Sequence, residues 1–234
     1  MRFQHHDEIW RDFPGLVPGV IHAEGITPAT DVSIPAGRFT AAARSRLAQM
    51  PESEFGEIRS WRRAFTRMGL RPTQYRCAAE SLLRRLRTQG SLPSLHPLVD
   101  LCNAASLAFA IPVAVLDVSG IAGDLQVRYA AGDEEYLTFS GETEHPAAGE
   151  VIFGDDAGRA HARRWTKSAK RPVRGPRLDH HRADRRRGAA RLGGGRHRAA
   201  HRGDRERTRR HLVGQGGTRH PDRDSPALRV LSAF

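Results

Sequence analysis

Cysteine is nearly absent: Cys77 and Cys102 are the two in 234 residues. Two isolated thiols support neither a disulfide framework nor a zinc knuckle, and they fit a reducing compartment. No apolar run reaches the ~18 residues that a membrane span needs. The opening Met1-Arg-Phe-Gln-His-His-Asp-Glu8 lacks the apolar core of a secretory signal. The sequence thus reads as a soluble cytoplasmic protein with no membrane partner. It has no Walker loop and no Gly-x-Ser-x-Gly elbow. His5, His6, Asp7 and Glu8 are a poor metal site, because adjacent residues point in different directions and no spaced partner follows. Neither a metal nor a cofactor is expected.

Lysine is missing from residues 1–166, which carry 18 arginines. The net charge of +12 would by itself suggest nucleic-acid binding. Its distribution argues otherwise. Residues 167–234 hold 20 Lys+Arg against 6 Asp+Glu, and residues 1–166 hold 18 against 20. The part able to fold is close to neutral.

From Lys167 onward Ile, Met, Tyr and Trp are also missing, and Phe234 is the only aromatic. Arg, Gly, His and Ala dominate without helical or strand period, so too little apolar area exists to offset ordering entropy. One reading is a disordered basic arm that binds nucleic acid nonspecifically. The preferred reading is a frame error in a GC-rich coding sequence. Asp179-His180-His181 must be encoded GAY-CAY-CAY, and sliding one base yields Thr or Ile at each codon. The arginine runs slide mostly to Ala, Val, Gly or Asp, residues of a folded domain.

What is present centres on Gly90–Asp117, the most apolar and most patterned stretch. Pro93 and Pro97 hold its entry extended. Leu101, Ala104, Ala105 and Ala108 recur at helical spacing, which predicts a buried helix over 99–110, stopped by Pro112. Val113–Leu116 reads as a short buried strand ending at Asp117. Asp100 and Asn103 in so apolar a run need hydrogen-bond partners. For Asp100 the plainest role is to tie down the helix start.

Upstream, residues 16–22 read as a strand, 27–37 as a loop and 39–50 as a helix closed by Pro51. Residues 53–65 form an amphipathic helix burying Phe55, Ile58, Trp61 and Phe65, with Gly69 as its C-terminal cap. Thr73 suits the N-cap of a helix over 74–87. Its second face carries Arg76, Glu80, Arg84 and Arg87, which reads as a solvated set of ion pairs. The sharper alternative is a phosphate-contacting face, with Arg76, Arg84 and Arg85 as the RNA contacts. Downstream, Leu125–Tyr129 alternates as a strand with 135–139 as its hairpin return; 149–156 and 160–165 are further strands. Asp155-Asp156 reads as a turn at a strand end. The expectation is an α+β domain.

Leu98-Val-Asp-Leu-Cys-Asn103, the small residues after it, Ile111-Pro-Val-Ala-Val-Leu-Asp117, Gly123, Arg128, Gly132 and Glu134 resemble the B3/B4 domain of the bacterial phenylalanyl-tRNA synthetase β subunit. The resemblance is closer to free-standing B3/B4-domain proteins, which Trp61–Pro72, Tyr75–Arg85 and Gly149–Asp155 also fit. It covers roughly residues 55–166 and divides the chain into an N-terminal part over 1–54, a B3/B4-like core over 55–166 and the tail over 167–234. It implies a layered β/β/α fold, tRNA or aminoacyl-tRNA as partner, and a pocket that hydrolyses mischarged aminoacyl-tRNA, with no aminoacylation. The pocket residues implied are Asp100, Cys102, Asn103, Ala114, Asp117 and Glu134, with Asn103 as the catalytic group. Ala114 stands where the synthetase has a His, so a polar editing residue is missing. The competing expectations are a small-molecule-binding or enzymatic domain with no RNA partner, and an inactive product of a damaged reading frame.

Overall fold

The computed structural model describes residues 1–138, 140–168 and 228–233. The tail and frame readings rest mostly on 169–227, which lie outside the described residues. In chain order the elements are β1 (Phe3–His5), α1 (Asp7–Asp12), β2 (Val20–Ile26), α2 (Ser33–Gln49), α3 (Gly56–Arg67), α4 (Ala78–Gln89) and α5 (Pro97–Phe109). They continue as β3 (Ala114–Asp117), β4 (Leu125–Tyr129), β5 (Tyr136–Leu137), β6 (Thr143–Glu144), β7 (Val151–Asp155), β8 (Ala160–Arg163), β9 (Lys167–Ser168) and β10 (Leu228–Ala233). The class is α+β, as the sequence implies.

Two helix starts differ by four residues or more from the pattern reading, each for a local reason. The helix expected over 39–50 begins at Ser33, because the Asp31 carboxylate accepts from the Ser33 amide at 2.8 Å. Pro35 then falls in the first turn, where its missing N–H removes no helical bond. The helix expected over 74–87 begins at Ala78 instead, since Cys77, with its sulfur 3.5 Å from the Glu80 amide, is the N-cap rather than Thr73. The strand expected over 16–22 is shifted to Val20–Ile26.

The main sheet has the order β1-β4-β7-β8-β9. β1 is parallel to β4, with Phe3 opposite Leu125 and His5 opposite Val127. β4 runs antiparallel to β7, not to β5 as a local hairpin would require; β5 pairs with β6. β7 is buried at all five positions and needs a long antiparallel partner on each side, which the two-residue β5 does not offer. A second sheet has the order β2-β10-β3, with β10 antiparallel to both neighbours. Within the segment expected to be a tail, Leu228–Ala233 thus supplies the central strand that satisfies the facing backbone edges of β2 and β3.

Two cores meet at Trp61. Ile9, Phe13, Leu125, Val127, Val151, Phe153 and Trp165 fill the space over the main sheet. Ala43, Phe55, Ile58, Phe65, Leu83, Leu86 and Leu107 fill the space among α2–α5. Trp61 packs against both, so α3 is the seam between the sheet and the helices.

Candidate functional site

The residues singled out in the sequence fall in three places. The first is the start of α5. His96 caps it, its Nδ1 accepting from the Leu98 amide at 3.2 Å, and Pro97 follows in the first turn. The Asp100 carboxylate accepts from Ser94 Oγ at 2.6 Å and from the Leu95 amide at 2.9 Å. Asp100 therefore ties the extended entry to the helix, the plainest role foreseen for it. One turn on, Asn103 joins Asp100 on a cavity of ≈ 260 Å³ shared with Thr40, Arg44 and Ser91. Cys102 is half-buried on the same helix.

The second place is β3. Ala110 ends α5 in the left-handed conformation (φ 55°), and Ser106 Oγ donates to the Ile111 carbonyl at 2.7 Å. The chain then turns through Pro112 into β3. Ala114 lines a different, smaller cavity of ≈ 30 Å³ together with His5, Trp61, Ala78, Phe153 and Trp165. Asn103 and Ala114 do not share a cavity: one faces α2, the other faces the seam at Trp61. Asp117, at the end of β3, caps the following turn by accepting from the Ser119 amide and hydroxyl at 2.9 and 2.7 Å.

The third place is a buried knot at the β4–β5 turn. Glu134 accepts from the Ala131 and Gly132 amides at 3.0 and 3.1 Å and from the Arg128 guanidinium. Burial alone would raise its pKa; these donors outweigh burial and hold it below the usual carboxylate range. It anchors a turn and lines neither cavity.

The arginines sort into paired and unpaired groups. Buried Glu80 takes Arg62 through both oxygens at 2.6 and 3.2 Å and has Arg76 at 3.6 Å, so Arg76 is an ion-pair partner. Arg87 closes on buried Glu52 at 2.7 Å. Arg84 is exposed, and Arg85 donates to Gln89 at 2.8 Å.

Pattern reading misses His5, which it discounts along with its neighbours. β1 carries His5 to the Ala114 cavity by pairing with β4, where His5 stands opposite Val127. No local signal marks so distant a pairing. Its ring packs 5.1 Å from Trp10 and 5.4 Å from Phe3. Burial lowers its pKa to about 4, so the imidazole is uncharged at neutral pH. An NMR titration of the histidine ring protons should therefore show His5 titrating near pH 4 while an exposed histidine titrates near 6.5. A value near 6.5 for His5 would mean that its ring is solvated and does not face the cavity.

Beside the small cavity, and sharing Leu16, Trp61 and Trp165 with it, lies an open groove of ≈ 900 Å³ between α3 and the 13–17 loop. Phe13 and Trp61 stand edge-on to Trp165, with ring centroids 4.8 and 5.5 Å apart. Trp61 beside Arg62 and Arg63 on an amphipathic helix is the one sequence signal for this groove. Among the described residues no group of three or more His, Cys, Asp or Glu is arranged to hold a metal, and no helix is long and apolar enough to cross a membrane.

Residues 60–173 match the family of the B3/4 domain. The phenylalanine–tRNA ligase beta subunit of Legionella pneumophila (strain Lens) is a relative, 33% identical over 75 residues. The match takes in 32% of this chain and 8% of that protein, so the chain spans a small part of its relative.

Proposed function

We propose, from the premise that residues 60–173 are a B3/4 domain, that this chain is a free-standing module binding the acylated end of tRNA, with the acyl group directed to the cavity beside Ala114. The observation that carries the reading is the lining of that cavity. It is apolar except for Thr166 and His5, and burial keeps His5 uncharged. A space of ≈ 30 Å³ has room for a small aliphatic group or a water. A neutral imidazole beside it can accept a hydrogen bond from that water or from the amino group of an aminoacyl ester. Hydrolysis of a mischarged ester in trans is the activity such an arrangement would perform: His5 takes a proton as the water oxygen adds to the acyl carbon, and returns it to the ribose oxygen as the bond from that oxygen to the acyl carbon breaks.

The test compares one tRNA with and without its amino acid. Aminoacyl-tRNA carrying a small aliphatic residue should bind at least ~10-fold more tightly than the deacylated form, as a dedicated pocket for a single methyl or methylene group allows. Equal affinity for the two would remove the acyl pocket from the proposal. Release of free amino acid above the spontaneous rate, absent in His5→Ala, would establish editing.

A second reading is favoured by one fact. Residues 1–166 carry 18 basic and 20 acidic residues, a poor surface for strong phosphate binding. Under that reading the cavity takes a small molecule with no RNA partner, and tRNA does not bind at physiological salt. The third, an inactive product of a damaged frame, is decided by the nucleotide sequence across codons 160–180.

A further inference from the structure

Arg59, Arg63 and Arg67 stand four residues apart on the exposed face of α3, each step about 6 Å along the axis. They differ from four other arginines of the helical layer. Arg46, Arg62, Arg76 and Arg87 all sit on carboxylates. Among the described residues, Arg59, Arg63 and Arg67 have no carboxylate in ion-pair range. Arg63 donates to Ser60 Oγ at 2.8 Å, and Arg67 donates to the Asp12 carbonyl. Both acceptors are neutral; the Asp12 carboxylate also acts electrostatically on Arg67, but its hydrogen bonds come from Arg11 and the Tyr129 hydroxyl.

Arg63 and Arg67 line the open groove at the seam, opposite Val17 and Ile111. Among the described residues the one carboxylate on the groove is Glu57, and Arg46 closes on both of its oxygens at 2.9 Å. The groove thus has a positive rim, a half-buried indole at Trp61 and an apolar opposite wall in which Val17 is 88% exposed. A wall of unpaired arginines facing an aromatic and aliphatic floor is complementary to a chain of phosphates bearing flat, weakly polar rings.

We infer that this groove holds an unpaired stretch of RNA, its phosphates along Arg59, Arg63 and Arg67 and a base against Trp61. The inference rests on the proposed function and deepens it: the groove shares Leu16, Trp61 and Trp165 with the Ala114 cavity, so a 3′-terminal nucleotide in the groove has its ester beside that cavity. It moves the RNA-binding face from α4, where Arg76 is taken by Glu80, to α3.

The test uses the full chain and a single-stranded RNA ending in CCA. Of the three tryptophans Trp61 and Trp165 line the groove and Trp10 does not, so a Trp10→Phe background makes indole fluorescence a report on the groove. Quenching by the RNA should disappear in Trp61→Phe. Arg63→Gln with Arg67→Gln should weaken binding by ~10-fold or more and flatten the salt slope by about 1.4, about 0.7 for each single-strand phosphate that is no longer neutralised. Arg84→Gln with Arg85→Gln should change neither. All four arginines are surface groups, so matched thermal midpoints are expected; should the double variant unfold, Arg63→Gln alone should lower the slope by about half as much. An abasic oligomer of equal length should bind without quenching. tRNA binding that keeps its slope in the double variant overturns the inference and leaves the proposed function standing. Absence of any tRNA binding by the wild-type chain overturns both. Equal quenching by polyglutamate overturns the inference in favour of an acidic peptide surface.

Discussion

Asp155→Ala is expected to destabilise the fold by about 3–5 kcal/mol, the cost of breaking a buried charged group out of its partners. Asp155 ends β7, and its side chain is fully buried. Its two oxygens accept from the Ala122, Ala157 and Arg159 amides, each at 3.0 Å, from Arg159 Nε at 3.1 Å and from His161 Nε2 at 3.0 Å. One carboxylate thereby holds the loop before β4, the β7–β8 turn and the body of β8. Removing it leaves three amides and His161 without this acceptor in a closed space. Burial would raise the Asp155 pKa, but the hydrogen bonds from His161 and from the Ala122 and Arg159 amides outweigh it and bring the value to about 2. Its folded value lies below the unfolded 3.8, so this stabilisation is complete above pH 3.8 and is lost as the pH falls through about 2. Urea midpoints for the wild type and for Asp155→Ala, taken from about pH 7 to about pH 2, should draw together toward the acid end without meeting, since a shift from 3.8 to about 2 carries roughly 2 kcal/mol of the loss. Midpoints separated equally at both ends would show that the carboxylate charge is not what holds the knot. Asp155→Asn tests the same point with shape preserved: its amide presents donors to donors, and it should recover little of the loss.

That knot is half legible in the sequence. Asp155-Asp156 at a strand end reads as a turn, and Asp155 does accept from the turn amides of Ala157 and Arg159. Its bond to His161 depends on a bulged register between β7 and β8, which no local pattern encodes. The same division runs through the fold. Leu125–Tyr129 is a strand with the bounds its alternation implies, because a half-buried strand writes its period into the sequence. Its partner is a question of long-range closure, and the nearest apolar run is the wrong answer. The α4 boundary fails for another reason: Thr73 is the better N-cap by propensity, but Cys77 has the burial that fixes the helix start. In the candidate site, Asp100 is legible because a carboxylate at a helix start in an apolar run has few other uses. The separation of Asn103 from Ala114 is not. A short link through Pro112 forces α5 and β3 to pack, but which side of α5 faces β3 is set by helix phase, and Asn103 turns toward α2.

Ala114→Leu is the substitution expected to affect function most, and it tests that separation directly. The added carbons exceed what a cavity of ≈ 30 Å³ accepts, so the side chain must occupy the space assigned to the acyl group. The preference for acylated over deacylated tRNA should fall by ~10-fold or more, to near unity. Affinity for the deacylated form should hold, because the arginines of α3 are untouched. Overpacking should cost about 1–3 kcal/mol of stability, so a thermal midpoint must show that the variant is folded at the assay temperature. Ala114→Ser adds one oxygen at nearly constant volume and should keep most of the preference. The family resemblance points instead to Asn103 as the catalytic group, and Asn103→Ala sets the two cavities against each other. Asn103 and Asp100 open on α2, with Arg44 and Ser91 around them, so Asn103→Ala should leave the acyl preference within twofold of wild type. If Asn103→Ala removes the preference and Ala114→Leu spares it, the acyl group belongs in the α2–α5 cavity, and His5 has no part in its chemistry.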